Sequence, residues 1–115
     1  MPIFIIQFTD KPGCGDVRQK HLEAHLAWLD RQAECILLAG SLRETVTSAP
    51  YGALWLMEAD SREAAQTLLE EDPFWQAGLR ASVTTGVWTL ANQDMRKRLA
   101  LLISPDAPAH ADCQK

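Results

Sequence analysis

"CILLAGSLRETVTSAPYGALWLMEA", residues 35–59, holds two apolar runs on either side of a stretch rich in turn formers. The first, "CILLAGSL", is short and meets Gly40, the form of a buried strand. The second, "ALWLMEA" at 53–59, reads as another strand, and "RETVTSAPYG" between them supplies a loop or hairpin connection. Two strands in immediate succession are what a split β-α-β-β-α-β order places between its two helices. The flanks decide whether that order is present.

Upstream, "IFIIQF" at 3–8 is β-branched and aromatic and is followed by the turn signals of "TDKPGCG", so it reads as a strand. Asp16 can then cap a helix from about Val17 to Glu34, whose apolar positions Leu22, Leu26, Leu29 and Ala33 keep a 3-4 spacing. Downstream, Asp60 with Glu63 resembles a capping box opening the helix "SREAAQTLLEED". Asp72-Pro73 stops or kinks it, because proline disfavours helical geometry in the residue before it. After "FWQAG", the β-branched segment "LRASVTTGVWTL" reads as a final strand.

The order is therefore β-α-β-β-α-β, an α+β ferredoxin-like sandwich. Both helices cover one face of the sheet. Along 53–57, Ala53, Trp55 and Met57 alternate with Leu54 and Leu56, so the uncovered face is apolar too, which is a dimerisation signal. The chain divides into a domain at 1–91 and a tail at 92–115. The tail is expected to carry a short helix at "DMRKRLALLI" and then a mobile Pro/Ala-rich end.

Composition narrows the function classes. Apolar residues at 47% and charged residues at 23% of 115 fit one folded domain rather than a disordered chain. A net charge of −4 gives no general pull toward phosphate backbones or anionic lipid, so neither nucleic acid nor membrane is an expected partner. Arg96-Lys97-Arg98, beside Asp94, reads as a solvated helical face. Cys14, Cys35 and Cys113 form no CxxC pair, which argues against a zinc knuckle or a thioredoxin-type site and fits a reducing compartment. "MPIFIIQFTD" lacks a basic leader region and is too short to span a bilayer, so a cytoplasmic location is expected.

"HLEAHLAWL" at 21–29 carries the most chemistry. At about 100° per residue, Arg18, His21 and His25 share one edge of the first helix, beside the apolar stripe, with His25 the nearer to it. A metalloprotease helix needs glutamate directly after the first histidine. Here Glu23 stands one place later and no spacing marks a third ligand, so no metal is expected. Taken alone, His25 reads as a helix-edge histidine hydrogen-bonded to backbone or to a neighbour, and His21 as an exposed polar residue.

Asp72 widens that reading. Locally, an Asp before Pro favours a turn in which its carboxylate bonds backbone amides. In a split β-α-β-β-α-β domain, however, the end of the second helix can approach the first. A carboxylate meeting a histidine there would fix the imidazole tautomer, as in catalytic triads, and the pair could act as a general base. No nucleophile completes a triad: "GxSxG" is absent, and Cys35 begins a buried strand. Gly13-Cys14-Gly15 lacks the Lys-Ser/Thr of a phosphate loop, so no nucleotide cofactor is indicated. Gly40-Ser41 is either a turn or a place where amides and a hydroxyl meet a ligand. Trp28, Trp55, Trp75 and Trp88 are core or interface residues that could also line a pocket for a planar ligand.

"R…HLAWL" at 18–29, "AGSL" at 39–42 and "DPFWQAGL" at 72–79, in that order, resemble the YciI-like family (YCII-related domain) over about residues 3–90. The resemblance implies a ferredoxin-like fold that pairs into a dimeric α/β barrel, and a pocket with a His–Asp pair falling on His25 and Asp72. It also implies proton movement on a small cyclic substrate, as in dehydrochlorinases or, by fold, muconolactone-isomerase-like proteins. Leu22 stands where the family often has arginine, leaving Arg18 or His21 to supply a cation, and Ser41 stands where proline is usual. The expectation is a cytoplasmic homodimer, a cofactor-free acid–base enzyme of lyase or isomerase type. His25 is the base, Asp72 its orienting carboxylate, and Arg18 and Ser41 are substrate contacts. The alternatives are a non-catalytic module that binds a small ligand or assists a partner, and a domain that only dimerises.

Overall fold

The computed structural model describes residues 1–103. The Pro/Ala-rich end expected to be mobile lies outside them. The elements are β1 (Ile3–Asp10), α1 (Gly15–Arg31), β2 (Ile36–Leu42), β3 (Gly52–Glu58), α2 (Arg62–Leu69), α3 (Pro73–Gln76), β4 (Arg80–Val87) and α4 (Gln93–Ile103). The four strands form one antiparallel sheet in the order β2-β3-β1-β4, the ferredoxin-like arrangement.

Side-chain alternation in the central strands makes the core. Phe4, Ile6 and Phe8 of β1 and Ala53, Trp55 and Met57 of β3 are buried together with Trp28 of α1 and Ala65 and Leu69 of α2. Gly52 admits the close approach of β3 to β1: a Cβ there would lie 2.0 Å from the Phe8 carbonyl oxygen. On the other face, Ile5, Leu38, Leu54, Leu56 and Trp88 line an apolar hollow of about 340 Å³. Leu99 and Ile103 of α4 share a smaller cavity with Ile3 and Leu37 at the margin of the sheet.

Several local expectations are corrected. α1 begins at Gly15 with Cys14 at its cap position and no side-chain cap, so Asp16 sits inside the first turn rather than before it. There its carboxylate faces the positive end of the helix dipole. The inward face of α1 is also different. Its buried residues are His25 and Trp28, whereas Leu22 and Leu26 are 40% and 51% exposed and Ala33 is exposed beyond the helix end. Aromatic contacts account for the rotation: Trp28 packs on Trp55 at 5.8 Å and His25 stacks on Phe74 at 4.0 Å, rings that bury more area than leucines. Finally, β2 is not a buried strand: after Cys35 and Ile36 its residues are partly or fully exposed, because it forms the sheet edge.

The second helical region is capped by Ser61, one residue past the expected Asp60. Ser61 Oγ accepts from the Ala64 amide at 3.0 Å, and the helix ends at Leu69 instead of running to Asp72. Ser61→Ala should cost about 1 kcal/mol and lower the melting temperature by roughly 4 °C. Asp60→Ala should stay within about 0.5 kcal/mol, so equal losses from the two would contradict this capping assignment.

Candidate functional site

Asp72 makes both the local and the distant contact. It is the N-cap of the one-turn α3, its Oδ1 accepting from the Phe74 amide at 3.0 Å, with Pro73 at the first helical position. The same oxygen lies 2.7 Å from His25 Nδ1, a buried contact between residues 47 apart in sequence. The His25 ring stacks on Phe74 at 4.0 Å and 15°, and on Trp55 at 6.4 Å and 28°. Plane and edge are therefore both held. With Nδ1–H donated to the carboxylate, Nε2 carries the lone pair.

A second charged group lies beside this pair. Asp10, at the end of β1, accepts from Arg18 Nη2 at 2.5 Å through Oδ2 and from Arg80 Nη1 at 2.7 Å through Oδ1. Arg80 opens β4 and is the sheet partner of Asp10. Its guanidinium packs over the Phe8 and Phe74 rings at 4.4 and 5.2 Å. Its Nη2 comes within 3.9 Å of Asp72 Oδ2. Arg80 Nε and Nη2 and Asp72 Oδ2 are buried and have no hydrogen-bond partner among the described residues. Burial pushes the Arg80 pKa down, and the hydrogen bond and charge of Asp10 oppose that shift.

A cavity of about 200 Å³ opens between α1 and β2, with His25, Arg18, Ser41, Arg43, Trp55 and Arg80 in its wall. The exposed leucines of α1, Leu22 and Leu26, are part of the same wall, which explains why they are not in the core. Of the residues singled out from sequence, His25, Arg18 and Ser41 line this cavity, and Asp72 stands behind His25. His21 is outside its lining. Gly13-Cys14-Gly15 borders a different and larger cavity of about 470 Å³, which holds neither His25 nor Asp72. Among the described residues, no group of three or more His, Cys, Asp or Glu side chains could hold a metal ion.

Sequence reasoning did not find Arg80, Asp10 or Arg43. A charge ending one apolar strand and a charge opening another were visible, but only the β1–β4 register puts Asp10 opposite Arg80. Arg43 reads as an ordinary loop cation, and nothing local marks it.

The YCII-related domain profile matches residues 3–89. Among solved structures, the chain resembles the 5-chloro-2-hydroxyhydroquinone dehydrochlorinase TftG from Burkholderia phenoliruptrix, in complex with 2,5-dihydroxybenzoquinone. The identity is 32%, with 76% of this chain and 93% of that one covered and a TM-score of 0.69. Protein Atu4242 from Agrobacterium tumefaciens shows 14% identity, covering 80% of this chain and 95% of its own, with a TM-score of 0.48. An antibiotic biosynthesis monooxygenase shows 15% identity over 80% of this chain and 100% of its own, with a TM-score of 0.49. No curated protein matches the sequence. The profile spans the whole sheet with α1, α2 and α3, and so includes every residue of the cavity wall and Asp72: the chain belongs to the YCII-related domain family.

Proposed function

We propose that this protein is a small-molecule enzyme that moves a proton on a single-ring compound. His25 is the base and Asp72 the carboxylate that orients it. The observation that carries this reading is the buried 2.7 Å contact of His25 Nδ1 with Asp72 Oδ1 at the wall of a cavity. A base held this way presents Nε2 in the correct tautomer, and the imidazolium formed on proton uptake meets a carboxylate already in place. Arg18 and Ser41 contact the substrate from the same wall. At about 200 Å³ the cavity is smaller than the ~300–1,000 Å³ typical of drug-sized ligands, which favours a single ring.

The named activity of TftG supports the lyase or isomerase class. Loss of hydrogen chloride begins with removal of a proton, the step a histidine base performs, while chloride departs with the electron pair of its bond. The test is incubation of the purified protein with chlorinated and unchlorinated hydroxyhydroquinones, following chloride release and ring absorbance. Wild-type protein should turn over at least one, and His25→Ala should fall to background. Binding of such rings without any turnover by the wild type would make the domain a ligand-binding module instead.

The working unit in this reading is a cytoplasmic homodimer joined through the open sheet face, where Ile5, Leu38, Leu54, Leu56 and Trp88 form the apolar hollow. Light scattering should give twice the 12.8 kDa chain mass, and Leu54→Asp should shift the protein toward that mass itself. A wild-type monomer at micromolar concentration would refute the pairing.

A further inference from the structure

We infer that the cavity beside His25 selects a ring bearing a negative charge, and that Arg43 is the residue that makes the selection. The inference rests on the functional reading above for the size of the ligand and its position against His25. Arg18, Arg43 and Arg80 all line the cavity, and among the described residues no aspartate or glutamate does.

Two of those three charges already have an internal answer. Arg18 and Arg80 share Asp10 at 2.5 and 2.7 Å, and Arg80 also faces Asp72 at 3.9 Å. Two guanidiniums against two carboxylates leave that buried group neutral while His25 is neutral. Arg43 stands apart. Its Nε donates to Ser41 Oγ at 3.3 Å and its Nη1 to the Ser48 carbonyl at 2.8 Å, both uncharged acceptors. Among the described residues no carboxylate lies within ion-pair distance of it.

Those two bonds fix the guanidinium without spending its charge. Of its five N–H donors two are used, and the rest form part of a planar fork suited to a carboxylate or phenolate. Ser41 belongs to this device through its hold on Arg43, in addition to lining the cavity. One uncompensated cation at the wall favours an anionic ligand over a neutral one of the same shape.

The test uses a pair of probes of equal shape, benzoate and benzamide, titrated calorimetrically into the full chain. Wild-type protein should bind benzoate roughly tenfold or more tightly than benzamide, the effect of one charge-assisted contact of about 1.4 kcal/mol. Arg43→Gln should bring benzoate down to the level of benzamide and leave benzamide unchanged, while Arg43→Lys should keep part of the preference. Added salt should shrink the difference, since Arg43 is exposed. Equal affinities in the wild type, no benzoate binding at millimolar concentration, or a preference that survives Arg43→Gln would each overturn the inference. The readout is binding alone, so His25→Ala should retain the preference. Turnover without Arg43-dependent selection defeats only this inference, and Arg43-dependent selection without turnover defeats only the proton-transfer reading.

Discussion

His25→Ala and Asp72→Asn should each lower turnover by about 10²–10⁴-fold, the usual range for a positioned acid–base group, and the double variant should fall little further. The non-additivity is the informative part. If Asp72 acts by holding the imidazole, its loss has nothing left to disturb once the ring is gone. Asparagine is the useful replacement because it is also a good N-cap, so the Phe74 amide keeps an acceptor and α3 keeps its start. What it removes is the negative charge facing His25 and, at 3.9 Å, Arg80. Melting curves should establish equal folding before rates are compared. Strictly additive losses in well-folded variants would mean two independent binding contacts and would weigh against a base with an orienting partner.

Asp10→Ala should be the most damaging single change to stability outside the hydrophobic core, costing about 3–5 kcal/mol. Asp10 holds two arginines whose side chains are 16% and 2% exposed, and the more buried, Arg80, makes to it its one side-chain hydrogen bond among the described residues. Removing the carboxylate leaves a guanidinium desolvated between Phe8 and Phe74, with Asp72 at 3.9 Å as the remaining counter-charge. Against a total stability of about 5–15 kcal/mol for a domain of this size, that is a large share. Denaturant midpoints measure it directly. Combining the change with Arg80→Met should recover part of the loss, because an apolar side chain of similar length has no charge to orphan. A single-variant cost under about 1 kcal/mol would show the group to be as weak as an exposed surface pair.

The same residues show how far local pattern reaches. Strand and helix order was legible, since period-two alternation in "ALWLMEA" and the turn formers flanking it are properties of neighbouring residues. Asp72-Pro73 was legible as a helix boundary for the same reason, and its carboxylate does bond a backbone amide two residues on. That His25 and Asp72 should meet came from the topology together with the family resemblance, not from either residue's own surroundings. The cap of α2 was not legible, because Asp60 and Ser61 both offer side-chain oxygens one position apart and only the path of the chain chooses between them.

The tertiary structure alone decided which side of α1 faces inward. Two stripes compete along that helix, one through Leu22, Leu26 and Leu29 and one through Arg18, His21, His25 and Trp28. Periodicity favours the leucines. The rings of Trp55 and Phe74 across the interface favour His25 and Trp28; Leu22 and Leu26 are displaced into a cavity wall, while Leu29 still packs against the core. Likewise Asp10 and Arg80, 70 residues apart, become partners through the pairing of β1 with β4. Local chain geometry is set within about one turn of helix or one pleat of strand, and the residues there encode it. Which face is buried and which charges pair depend on sheet register and on the rings opposite, and these exist only once distant segments have come together.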